Sequence, residues 1–271
     1  MIKINIPTET DLTGEGREPI AGAMERLLKS EEEAMKSKVP QTNSPIILPN
    51  KDIQFITSKE LYDETKKYFG LTFPDNQDVF NKLNWDNANL IATGSNPYIQ
   101  TGIDMFCKAN NLKYRIVRQA DLETNLQMFK DKYVDSGLTL RSLMNPNSEQ
   151  AKYLHTQLIK RNPKIKLPVW IELRGLELTT DLNFELTDES VYKTADCLNW
   201  KSGTHYSQTD ELGLPVQEDK KSGRQIWTAD NGLSRAYLIR NSYLSSYNED
   251  LANSNGNGRV GLVRVGGGAK N

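Results

Sequence analysis

Apolar positions recur along this chain with two periods, and the switch between them marks out its elements. Over residues 20–35, Ile20, Met24, Leu27, Leu28, Ala34 and Met35 share one helical face, with Pro19 suited to the first turn and Glu31-Glu32-Glu33 on a solvated side. Ile53 to Ile56 predicts a short strand, Ser58 to Phe69 a capped helix, and Leu90 to Gly94 a buried strand closed by glycine. Helices are expected over Tyr98–Asn110 and Asp121–Val134, with a strand at Lys113–Val117 between them. Ser148 is placed to cap a helix over Glu149–Arg161, whose Ala151, Leu154, His155 and Leu158 line one face. Pro163 ends it, because proline disfavours helix at the residue before it. Beyond this point the period drops to two: Val169, Ile171 and Leu173 alternate with Trp170, Glu172 and Arg174, as in a half-buried strand. Phe184–Leu186 and Gln225–Trp227 predict further strands, and Tyr206–Ser222 a long polar loop.

The breaks divide 271 residues into an arm and helix over 1–50, a mixed α/β domain over 51–161 and a last domain over 162–271, a length that suffices for two cores. With 25% charged and 37% hydrophobic residues the composition is that of a soluble globular protein. A formal net charge of -1 provides no general basic field, so no nucleic-acid partner is expected. Met1 to Pro7 lacks the apolar core of an export signal, and no run approaches the roughly 20 apolar residues of a spanning helix. The expectation is a cytoplasmic protein that does not insert into membranes, with display on a cell or virion surface left open.

Candidate chemistry is sparse. Cys107 and Cys197 lie far apart without metal-ligand spacing, which favours buried, reduced thiols over a disulfide between them. The two histidines are His155, on a helix face, and His205, which follows Cys197 in the segment CLNWKSGTHY. A Cys197–His205 nucleophile pair has no local signature to support it. Asp181, Glu185, Asp188 and Glu189 cluster in sequence, yet Thr187 and Asp188 suit a turn or helix cap better than an acid–base pair. Zinc, EF-hand and HExxH patterns are absent. Gly94-Ser95-Asn96-Pro97 between a strand and a helix could cradle a phosphate, but without GxGxxG or GKS/GKT it is better explained as strand termination. No catalytic residue, cofactor or metal is therefore expected, and the chain is not expected to be an enzyme.

The tract from Asn231 to Val265 is the most distinctive. Single apolar residues, Leu233, Leu238, Leu244, Leu251, Val260, Leu262 and Val263, stand as anchors among Tyr, Asn, Ser, Asp and Gly. A solvated linker shares the Asn/Ser/Gly content, but it needs neither the spaced leucines nor Tyr237, Tyr243 and Tyr247. Tyrosine gives a large amphipathic contact at low rotamer entropy, and Ser, Asn and Gly add adaptable hydrogen bonds, a mixture suited to binding without chemistry.

The frame Gly232-Leu233-Ser234-Arg235, followed by Leu238, Leu244, Leu251-Ala252, Ser254 and Gly258-Arg259-Val260, resembles the variable region of diversity-generating retroelement variable proteins of the archaeal and candidate-phylum type. These are ligand binders with a C-type lectin fold, in which an error-prone reverse transcriptase alters adenines of template codons. Asn codons then yield Tyr, Ser, Asp, Gly, Ile or Arg while the frame stays fixed. The resemblance implies variable, ligand-binding positions at Tyr237, Ile239, Arg240, Asn241, Tyr243, Ser245, Ser246, Tyr247, Asn248, Asp250, Asn253, Asn255 and Asn257, within a region of about 231–260. It further implies an α+β chain whose C-terminal C-type-lectin-like domain follows a smaller, helix-rich mixed α/β domain. The partner would be a variable macromolecular ligand, in the first place a protein. In a C-type lectin fold the first and last strands pair, so 167–178 is expected beside 258–265. Calcium-dependent sugar binding is not implied: the one Trp-Asp-Asn triplet, Trp85-Asp86-Asn87, is in the wrong order and outside the lectin-like part. Oxidases related to this fold need closely placed cysteines, which Cys197 alone does not provide. The alternative from another class is a phage or viral structural protein that uses the tract for assembly, without diversification.

Overall fold

The computed structural model describes residues 53–220, 222–239 and 243–265. The arm and helix expected over 1–50 lie outside them, as do Arg240 and Asn241. The first half runs β1 (Ile53–Phe55), α1 (Lys59–Thr72), α2 (Gln77–Phe80), β2 (Asn84–Asp86), β3 (Ile91–Thr93), α3 (Pro97–Ala109), β4 (Tyr114–Ile116), α4 (Gln119–Thr124) and β5 (Val134–Leu140). It continues through α5 (Ser148–Arg161), β6 (Val169–Glu172), β7 (Leu176–Leu178), β8 (Phe184–Leu186) and β9 (Tyr192–Thr194). The last part holds β10 (Thr204–Tyr206), β11 (Arg224–Thr228), β12 (Leu233–Ile239), β13 (Tyr243–Ser246) and β14 (Gly261–Arg264). The class is α+β.

A seven-stranded sheet in the order β10-β11-β13-β12-β5-β6-β9 is the backbone of the fold. All its pairs are antiparallel except β11 with β13. Its inner side packs Trp170, Ile226, Ala236 and Leu244 against Cys197, Leu198, Tyr206 and Leu214. Leu238 and Val134 continue it against Val117, Leu122 and Phe129. A second sheet, β1-β14-β4, closes beside it. Six of the seven expected anchors are buried: Leu233, Leu238, Leu244 and Leu262 are 0% exposed, Val260 1% and Leu251 3%, while Val263 is half-buried against the core.

Several expectations give way to tertiary context. The strand over 167–178 does not meet 258–265: β14 lies between β1 and β4, and β6 between β5 and β9. The first described strand instead pairs with the last, Ile53 opposite Val263. The seven-stranded sheet also runs through the boundary expected at 161–162, since β5 pairs with β6 and β12, and the described residues on both sides of it belong to one compact unit. Asn162 and Pro163 end a helix there without separating two cores. Trp170 and Glu172, expected on a solvated face, are both buried, because β6 is covered on its two faces. The helix expected over Asp121–Val134 stops at Thr124, where the Asn125 side chain donates to Asp121 O at 2.9 Å and Val134 enters β5. Ser148 is the first helical residue of α5, not its cap; Asn147 holds that position at φ 59°.

Candidate functional site

Strand β12 and the segment 247–260 that follows β13 make one face, and its foundation is a buried ion pair. A bulge between Ala236 and Tyr237 shifts the pairing of β12 with β5, so that Tyr237 lies opposite Asp135. Arg235 grips the Asp135 carboxylate with both sides of its fork, Nε at 2.7 Å and Nη2 at 2.6 Å. Burial alone would weaken the guanidinium's hold on its proton, but Asp135 outweighs it and the arginine pKa is raised. Ser95 Oγ donates to Asp135 at 2.5 Å, and Ser95 O accepts from Arg235 Nη2 at 3.0 Å. The guanidinium also lies over the rings of Tyr133 and Tyr237, 5.5 and 5.0 Å from their centroids.

From this foundation, side chains outside the 247–260 segment hold its backbone. Asn147 Nδ2 donates to Glu249 O at 2.7 Å and Asn96 Nδ2 to Ala252 O at 3.2 Å. Arg235 Nη1 donates to Asn253 O, Tyr133 Oη accepts from Asn255 N at 2.6 Å, and Gln100 Nε2 donates to Arg259 O at 3.2 Å. Gly94 N donates to Gly258 O at 2.8 Å. The frame residues inside the segment face this support: Ser254 Oγ accepts from Ser95 N at 2.9 Å, and Leu251 fills the core. A Cβ at Gly258 would stand 2.6 Å from Ser95 N, so the chain can pass there only as glycine. Gly232, at φ +67° and against Pro146 O, is required for the same closeness and for its backbone angle.

The expected variable positions then sort by direction. Tyr247, Asp250, Asn253, Asn255 and Asn257 are exposed, Tyr247 by 64%, and Asn248 is half-buried. Tyr237, Ile239 and Tyr243 are half-buried on one side of the β12–β13 ladder, where Ile239 lies opposite Tyr243. Ser245 shares that side but is buried, flanked in register by Tyr237 and Trp227. Ser246 does not project outward: strand alternation puts it with Leu244 on the core side, where its hydroxyl donates to Trp227 O at 3.1 Å. Ser245 and Ser246 thus present no side chain to a ligand in this structure. Trp227, 42% exposed next to them, joins the face; its alternation with the apolar Ile226 in the strand expected at Gln225–Trp227 was the signal in the sequence.

Other candidates resolve into structure. Burial pushes the Cys197 thiol up to about 12, so it stays protonated at neutral pH, and the His205 ring pairs with Gln225 Nε2 at 3.1 Å. At the Gly94 turn, Asn96 Oδ1 caps α3 by accepting from Ile99 N at 2.8 Å, and Ser95 and Asn96 are fully buried. No group of His, Cys, Asp and Glu among the described residues is placed to hold a metal ion, and none of their helices is long and apolar enough to cross a membrane. No known family profile matches this chain, and neither a curated protein nor a solved structure is significantly similar to it.

Proposed function

We propose that this chain is a ligand-binding protein of the diversity-generating retroelement type, with a C-type-lectin-like fold and a diversified face centred on residues 247–257. The observation that carries this reading is the way the segment is held. Its shape depends on backbone atoms gripped by Asn96, Gln100, Tyr133, Asn147 and Arg235, while Tyr247, Asp250, Asn253, Asn255 and Asn257 point to solvent. Side chains can change there without loss of the grip. Tyr237, Ile239, Tyr243 and Trp227 extend the face with aromatic and aliphatic area of the kind that anchors protein–protein contacts. A macromolecular ligand, in the first place a protein, suits an open surface of this composition. The pairing of β1 with β14 supports the lectin-like assignment, with the first strand supplied from residue 53 and not from 167.

Two measurements test the two halves of the proposal. A library randomised at Tyr247, Asp250, Asn253, Asn255 and Asn257 should remain largely folded and yield binders to an arbitrary protein target. A mostly unfolded library would defeat the display reading. DNA beside the gene should hold a reverse-transcriptase gene and a near-copy of the coding repeat differing at adenines. Capsid or tail genes without that copy would favour the assembly role instead.

A further inference from the structure

Away from the displayed segment, the corner where α3, β4, the β6–β7 turn and the β8–β9 loop meet encloses a cleft of about 350 Å3, within the size range of small-molecule sites. Its walls carry Lys108, Lys113, Arg115 and Arg174 against only two carboxylates, Asp104 and Glu189. Asp104 is committed to the fold. It is 1% exposed, its oxygens accept from Ile116 N and Gly175 N at 3.3 Å each, and it lies 3.3 Å from Lys108 Nζ. Arg115 is likewise engaged, by Asp121 at 2.6 Å.

Two cations, Lys113 and Arg174, are under-used. Lys113 makes no ion pair with a described residue. Arg174 Nε is buried without a hydrogen-bond partner, and its Nη2 reaches Glu189 only at 3.6 Å. Glu189 Oε2 sits 3.2 Å from Lys108 Nζ, on a side chain that is 55% exposed. Its backbone is fixed by the packing of Gly175 against Glu189 O, so the side chain can swing out while the turn stays in place.

We propose that this cleft is a binding site for a small phosphomonoester, and that Glu189 occupies the position of the phosphate when the site is free. A dianion outcompetes a single carboxylate for three cations, and the arginine fork matches two phosphate oxygens at once. Leu112, Tyr114 and Val265 line the rest of the cleft and offer an apolar wall to the esterified body.

The test is calorimetric titration of the full chain with phenyl phosphate and with inorganic phosphate. Saturable binding of both is expected, tighter for the ester. Lys113→Gln and Arg174→Gln should each weaken it about tenfold, and Glu189→Gln should tighten it by a similar factor. Lys113 and Glu189 are exposed, so their variants test the site even if Arg174→Gln fails to fold. No saturable binding by Glu189→Gln up to about 10 mM phenyl phosphate, a range reaching affinities near 3 kcal/mol, overturns the proposal. So does binding that Lys113→Gln leaves unchanged. Binding of inorganic phosphate but not of the ester would refute the ester and leave only a free-phosphate site.

Discussion

Two polar loops, 207–220 and 247–260, are held in opposite ways. The first relies on its own acidic side chains. Asp210 Oδ1 accepts from Leu212 N at 3.0 Å and Leu214 N at 2.9 Å, its other oxygen pairs with Lys193 at 2.6 Å, and Asp219 accepts from Ser222. Leu214 then drops into the core. The second is secured from outside, by side chains up to 159 positions away along the chain. A loop that holds itself by its own side chains cannot trade them freely. A loop held by others can, because the grip falls on carbonyls and amides that every residue type except proline retains. The separation is not total in the second loop, since Asn248, Asp250 and Asn255 each accept from an amide two residues on and so tighten local turns.

The contrast can be broken by substitution. Arg235→Ala leaves Asp135 buried and unpaired and frees Asn253 O; a loss of about 3–5 kcal/mol is expected in urea unfolding, with faster amide exchange over 253–258. A loss below about 1 kcal/mol would remove the ion pair as the foundation of the face. Leu251→Ala should lose about 2–5 kcal/mol in the same assay, as a buried anchor should. Asp210→Ala should lose about 1–3 kcal/mol and expose 207–220 to protease, leaving exchange in 247–260 unaltered. At the small end, Asn253→Ser and Asn257→Tyr should stay within about 0.5 kcal/mol of the parent by thermal melting.

A pH experiment separates global stability from either loop. Glu172, in the sheet both loops share, is fully buried with neither carboxylate oxygen hydrogen-bonded. Burial raises its pKa from 4.5 to about 7, against the opposing pull of Arg118 and Arg174. Because the folded value lies above the unfolded one, the folded chain holds the proton more tightly. The stability present below pH 4.5 is lost as pH rises to about 7. Glu172→Gln should therefore match the parent near pH 4 and exceed it near pH 8, by on the order of 3 kcal/mol at most. Equal stability at both values would show that the carboxylate finds water or a partner on folding.

Local signals in the sequence were legible where neighbours along the chain decide the outcome. Ser58 caps α1 by accepting from Leu61 N at 3.2 Å, Gly94 follows the end of β3, and every spaced leucine from Leu233 to Leu262 is buried, although β3 itself is only partly buried and Leu90 before it is 63% exposed. What escaped was decided by distant partners. Asn147 takes the cap position expected of Ser148, and its side chain reaches Leu233 O and Glu249 O instead of a helix amide, ties invisible to a local cap rule. The support of the face was missed for the same reason: Ser95, Tyr133, Asp135 and Arg235 are spread over 140 positions and look unremarkable one by one. The strands β12 and β13 that carry Tyr237, Ile239 and Tyr243 were not predicted, and strand alternation applied to Trp170 and Glu172 failed, because both faces of β6 are covered.

The antiparallel union of β1 and β14, Ile53 against Val263, brings the first and last described strands side by side. A short peptide bridge can therefore join them, which makes the unit a candidate for circular permutation or for grafting into a surface turn of a host protein. Such a graft would carry the exposed 247–257 segment on a single doubled stalk.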